Sequence, residues 1–287
     1  MSKYNSFINI VLTRRMVAGL SSATMRGFES DNPVSEDEKR LLTFGAVLFT
    51  RNVESCRTLR IREEKHKVAE MLASGWDIRG REKALSTAKE LSTADGHTPF
   101  ADDVYKALVL KGRLEPIHPE DIQYSAGHEN ALESTIDRTF GSGTIPDEMT
   151  DDERKKFQDI ILSRLAARIN TGIECYKAAW EMLIDLGYTE NELSQVRTTA
   201  AWDLGRTGFI ARYCVKTGYM EEDEAWELMR DAADSASKVY SGWREYLAGY
   251  IFGRALGYCS DSKEIYAVLR YLLNHDNSPF EEASFSS

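Results

Sequence analysis

The chain has 287 residues, 42% of them hydrophobic, enough to bury a large core as one big domain or two small ones. Its 36 basic and 46 acidic residues leave a net charge of −10, which argues against a general nucleic-acid binder, since that needs a basic face to displace counterions. The same balance suits plain solubility and, more narrowly, a basic protein partner.

At the start, Phe7-Ile8-Asn9-Ile10-Val11-Leu12 is apolar but short, and Arg14-Arg15 follow it. A signal peptide carries its charge before the apolar stretch, so this order predicts an amphipathic helix in a cytoplasmic protein. No apolar run approaches the roughly 20 residues that span a bilayer, so no membrane association is expected. Helical patterning continues to about Lys111, and residues 1–111 read as an N-terminal helical part. Ser35-x-x-Glu38, Thr150-x-x-Glu153, Thr189-x-x-Glu192 and Asp261-x-x-Glu264 have the form of capping boxes, in which the first side chain takes an orphan amide and the glutamate reaches back. Thr98-Pro99 marks a further start. Gly75-Trp76, Gly187-Tyr188 and Gly218-Tyr219 read as stops, with glycine taking the left-handed conformation at the helix end.

Residues 112–150 hold three of the six prolines and read as a loop-rich connector around a short helix near Glu129 to Phe140. Asp147 to Ser278 contains no proline. A proline inside a helix costs roughly 3 kcal/mol, so this stretch predicts packed helices, with residues 151–275 as the core. The helix opening at Thr150 places Phe157, Ile161, Leu165, Ile169, Ile173, Tyr176, Trp180 and Leu183 on one stripe, with a kink expected at Thr171-Gly172. From Glu190 to Thr217 two apolar faces appear: Leu193, Val196, Ala200, Leu204, Ala211 and Cys214 on one, Trp202, Phe209 and Tyr213 on the other. A helix apolar on both sides is surrounded by others, so this segment is expected to be the buried central helix. Residues 276–287 are polar and expected to be a loose tail. The prediction is an all-α, compact multi-helix bundle, one domain overall.

Charged residues among the aromatics form the candidate site. Asp203 and Arg206 share a face with Trp202; Trp243, Tyr250 and Arg254 follow one another on a second helix, with Glu245 in its first turn, where a negative charge is favoured. Two guanidinium forks over aromatic walls would suit a carboxylate or phosphate. The same residues would equally serve as buried pairs locking helix to helix. From Glu221 to Asp234 seven acidic residues stand against one arginine. Glu221, Glu222, Asp223, Glu224 and Glu227 are therefore a candidate docking face for a basic partner, or simply a solvated one.

Cys56, Cys175, Cys214 and Cys259 and the five histidines are scattered without the short paired spacing of a metal site, so no metal or cofactor is expected. No nucleophile elbow, phosphate loop or dinucleotide fingerprint appears. Asp102-Asp103 and Asp151-Asp152 read as first-turn carboxylates.

Three segments resemble a known family. Trp202-Asp203-x-x-Arg206, Gly218-Tyr219 to Ala225-Trp226, and Ser241-Gly242-Trp243-Arg244-Glu245 to Gly253-Arg254 are similar to the W-D-x-x-R, G-Y…A-W and S-W-x-E…G-x-x-x-G-R elements of the bacterial domain-of-unknown-function family that includes YbeU- and YbeR-like proteins. Ser241-Gly242-Trp243 departs from the family pattern by one inserted residue. Upstream, Gly75-Trp76-Asp77-Ile78 and Gly96-His97 resemble its W-x-I…G-H stretch. The resemblance adds weight to these residues and implies no particular chemistry.

Two functions remain open. The leading expectation is a non-enzymatic cytosolic interaction protein, such as a neutralising or accessory partner of a bacterial toxin or secretion system. The alternative is a small-molecule-binding protein or enzyme using Asp203, Arg206, Glu245 and Arg254 on an anionic ligand, with a carboxylate as base.

Overall fold

Side-chain capping sets several of the helix starts. In the computed structural model, which describes residues 34–96, 98–122, 150–258, 263–274, 276 and 278–286, the boxes at Ser35/Glu38, Thr150/Glu153 and Thr189/Glu192 are all formed. They open α1 (Glu36–Thr43), α6 (Asp151–Asp185) and α7 (Glu190–Gln195). The segment Phe7 to Leu12, the helix near Glu129 to Phe140 and the start of the Asp261 box lie outside the described residues.

Between α1 and α6 run α2 (Ala46–Arg51), α3 (Lys65–Trp76), α4 (Arg81–Ser92) and α5 (Thr98–Val104). A π-turn over Tyr105–Val109 continues α5. After α7 come α8 (Ala201–Thr217), α9 (Glu222–Ser237), α10 (Trp243–Tyr258), α11 (Lys263–Asn274) and α12 (Pro279–Glu282). No strand occurs among the described residues, and the architecture is all-α.

Helix α8 is the hub. All of its residues from Ala201 to Cys214 are buried, and it packs against α2, α3, α4, α9 and α10. This matches the expected central helix in place but not in extent. The helix expected over Glu190–Thr217 is broken at residues 196–200. Asp102 on α5 explains the break: its carboxylate accepts from the Thr198 hydroxyl (2.8 Å), the Thr199 amide (2.5 Å) and the Thr199 hydroxyl (2.7 Å). Tyr105 donates to the Val196 carbonyl (3.2 Å) and Tyr240 to that of Thr198 (2.9 Å). With these backbone groups met from outside, the segment has no need of an α-helical ladder. Asp102 is thus an interior tether and not a first-turn charge.

The turns show one more difference. Gly187 (φ 89°) and Gly218 (φ 76°) take the left-handed conformation as expected, but Gly75 stays inside α3 and Asp77 (φ 52°) makes that turn. Helix α6 is continuous through Thr171-Gly172. A Cβ at Gly172 would lie 3.3 Å from the Leu256 carbonyl oxygen, so the glycine marks a close approach to α10.

The tail is not loose. Ser278 and Phe285 are buried, and Phe285 packs on Phe44, Trp243 and Tyr246, with ring centroids 5.5, 4.9 and 6.1 Å apart. One contiguous apolar cluster runs from Leu41 to Phe285, so the N-terminal helices and the 151–275 helices share a core.

Candidate functional site

Asp203 sits in the first turn of α8 and is fully buried. It forms an ion pair with Arg206, one turn on, and accepts the Thr98 amide at 2.8 Å, which holds the start of α5. A Cβ on Gly96 would lie 3.2 Å from the same carboxylate, so the chain passes close against it. Arg206 is 5% exposed and donates through Nε to the Trp202 carbonyl at 3.0 Å. Its guanidinium lies 4.4 Å from the Trp202 ring centroid and 5.4 Å from that of Trp76. Burial lowers the affinity of Arg206 for its proton and Asp203 works the other way; an arginine keeps its charge under such opposing pulls.

Trp202 meets Tyr250 edge-on at 5.1 Å. Burial raises the Tyr250 phenol well above its ordinary value, although Arg254, Arg206 and Arg51 all pull it down. The Tyr250 hydroxyl and the Trp202 Nε1 find no hydrogen-bond partner among the described residues. Arg254 is buried at 7% exposure on the same helix as Tyr250.

Structure therefore gathers Trp202, Asp203, Arg206 and Tyr250 in one neighbourhood, with Arg254 near the Tyr250 hydroxyl. Trp76, Gly96 and Thr98 join them. They were absent from the expected site, although the upstream motif resemblance already pointed at Trp76 and Gly96. His97 lies outside the described residues.

Glu245 and Trp243 belong elsewhere. Glu245 accepts the Ser241 amide (2.8 Å) and hydroxyl (2.6 Å), a cap at the start of α10. Arg254 stands nine residues on, about 14 Å along the helix axis. Trp243 donates to the Ala283 carbonyl at 2.7 Å and packs on Phe44 and Phe280. The four charged side chains do not converge.

The acidic helix α9 is partly satisfied from within. Arg81 on α4 grips Glu224 with two hydrogen bonds (2.9 and 2.7 Å), and Lys89 takes Asp231 at 2.7 Å. Glu224 also accepts the Glu221 amide at 2.9 Å, closing the start of the helix. Glu221, Glu222, Asp223 and Glu227 remain exposed.

Arg212 went unnoticed in the sequence. It is fully buried on α8 over Phe49 and donates to the carbonyls of Leu59 (3.3 Å), Ser55 (3.0 Å) and Arg60 (2.7 Å). The available signal was its place in a helix apolar on both sides, where any charge must be buried. Among the described residues no group of three or more potential ligands could hold a metal. Burial pushes the Cys214 thiol up to about 12, which leaves it an unreactive core residue.

The geometry falls within one family. Residues 71–285 match the family described as a protein of unknown function (DUF1266), and the chain belongs to it. The match takes in every residue of the Asp203–Arg206 neighbourhood and the acidic helix. The chain is also similar to the uncharacterized protein YbeR of Escherichia coli (strain K12), 41% identical over 54 residues. That alignment covers 19% of this chain and 23% of YbeR, so the chain matches about a quarter of that relative's length. No solved structure matches the chain.

Proposed function

We propose that the protein is a non-enzymatic interaction protein of the bacterial cytoplasm that offers the acidic start of α9 to a basic protein partner. Its concrete form would be a neutralising or accessory partner of a toxin or secretion system. The distribution of charge on α9 carries this reading. Glu224 and Asp231, on the side of α9 next to α4, are paired with Arg81 and Lys89, while Glu221, Glu222, Asp223 and Glu227 face solvent on a chain of net charge −10. Such a patch steers and orients a basic surface more than it adds raw affinity. Among the described residues no helix is long and apolar enough to cross a membrane, which accords with this setting.

The test is recovery of partners on a tagged chain from its native host, repeated with Glu222→Lys, Asp223→Lys and Glu227→Lys combined. A basic protein held stoichiometrically by the wild type, released by salt and lost with the charge reversal, supports the proposal. Recovery of no stoichiometric protein, together with no binding by the products of neighbouring genes, sinks it.

The competing reading is an anionic-ligand site at Trp202, Asp203, Arg206, Tyr250 and Arg254. The unmatched Trp202 Nε1 and Tyr250 hydroxyl beside Arg206 favour it. Arg206→Ala separates the two roles. Stability left nearly intact would support a ligand-serving arginine, and a large loss of stability would support a structural one.

A further inference from the structure

We propose that the cleft between α6, α7 and the π-turn after α5 is a binding site for a small aromatic carboxylate. The cleft has a volume of about 500 Å³ and is lined by residues that took no part in the candidate site. That volume lies within the usual range for small-molecule sites.

Its walls are flat and rigid. Tyr105, Tyr176 and Trp180 face the cleft, and all three are backed by Phe252: Trp180 stacks on it at 6.1 Å and 8° between planes, Tyr105 at 6.0 Å and 26°, and Tyr176 meets it at 4.6 Å. Tyr105 and Tyr176 meet edge-on with ring centroids 6.0 Å apart, and Tyr105 donates to the Val196 carbonyl at 3.2 Å. A planar guest therefore meets planar walls that need no reordering, which removes part of the entropic cost of binding. The π-turn brings Tyr105 and Val109 to the same wall; its wider ring is seen in the Leu110 amide donating to the Tyr105 carbonyl at 3.0 Å. Such turns are intrinsically unfavourable and occur often at functional sites.

The charge at the mouth selects an acid. Of the charged residues that line the cleft, Lys177 and Arg197 are cationic and Glu181 is acidic. Lys177 is held by Glu174 at 2.9 Å. Arg197 donates to the Ser194 carbonyl at 3.1 Å, and its positive charge reaches the Tyr105 hydroxyl. Arg197 is exposed, with guanidinium donors left for a guest carboxylate, which it can grip bidentately. A single cationic pole over apolar rings fits one negative charge on a flat body better than a multiply charged phosphate.

The test titrates the full chain with 2-naphthoate, its neutral amide 2-naphthamide, and decanoate, read by calorimetry and tryptophan fluorescence. Arg197→Gln and Ser194→Trp change exposed lining residues, and circular dichroism checks that each variant keeps the fold. Naphthoate should bind best of the three. Arg197→Gln should weaken naphthoate by about tenfold while leaving the amide unchanged, the scale of one lost charge-assisted contact. Ser194→Trp should abolish both by filling the cleft. Failure of the folded wild type to bind naphthoate overturns the proposal. So do binding that survives Ser194→Trp, amide binding as tight as the acid's, and a preference for decanoate.

Discussion

Asp203 shows how one buried carboxylate can tie three elements together. It pairs with Arg206 on its own helix, receives the Thr98 amide at the start of α5, and sits against Gly96. Truncating it strands a buried guanidinium between two tryptophans. Asp203→Ala should therefore cost about 3–5 kcal/mol, read as a lower urea midpoint with an unchanged slope. A cost under about 1 kcal/mol would mean that the pair is solvated and the structural role misassigned. Glu192 offers a pH-dependent contrast at the surface. Its hydrogen bond to Arg244 (2.6 Å), with the Thr189 cap behind it, holds its carboxyl down to about 2 from the ordinary 4.5. The folded form thus binds its proton later than the unfolded chain, so the contribution is complete above 4.5 and is lost as pH falls towards about 2. The side chains are 45% and 37% exposed, so solvent screening limits the pair to roughly 1 kcal/mol at most. Arg244→Gln should lose that amount near neutral pH, and its stability gap to the wild type should close in acid. A gap that is constant across this range would show that Arg244 acts through its stacking on Tyr188 instead.

At the scale of elements, glycines decide how near the helices come. A Cβ on Gly253 would stand 2.6 Å from both the Thr199 carbonyl oxygen and the Trp202 Cβ. The first of these is backbone and cannot step aside. Gly253→Ala should therefore destabilise by about 1–3 kcal/mol through overpacking, despite a helix-propensity gain of about 1 kcal/mol. Gly75 lies inside α3 with nothing within 4 Å of a built Cβ. There the propensity term stands alone, and Gly75→Ala should stabilise by roughly 0.5–1 kcal/mol. Thermal unfolding of both variants checks the opposite signs. A stabilised Gly253→Ala would mean that the α8–α10 contact does not govern that site, and a destabilised Gly75→Ala that propensity does not govern the other.

The whole molecule depends on its last residues. Phe285 and the Ala283 carbonyl close over Phe44, Trp243 and Tyr246, and buried Ser278 donates to the Leu272 carbonyl, joining residues 278–285 to the end of α1, to α10 and to α11. Removing residues 279–287 uncovers that aromatic cluster. The truncated chain should melt several degrees lower, on the order of the loss of one large buried side chain, and should bind a hydrophobic dye. An unchanged melting temperature would show that the tail only rests on the surface.

Local chemistry was legible from sequence alone. Capping boxes depend on residues three apart, and left-handed turns at Gly187 and Gly218 depend on a missing Cβ, so neither needs a tertiary partner. The all-α class and the buried span of α8 also follow from periodicity, because a helix apolar on both sides has nowhere to lie but inside. Distance along the chain hid the rest. Asp102 breaks the expected helix from nearly a hundred residues away. Arg81 and Lys89 neutralise part of α9 across more than a hundred. Glu245 is grouped with Arg254 in the sequence as a first-turn acid of the same helix, yet the helix axis keeps them apart, while Trp76 and Gly96 reach Arg206 and Asp203 only when α3, α4 and α8 pack. Sequence period determines which face a residue occupies; what stands opposite that face is decided by packing between segments whose separation no local pattern encodes.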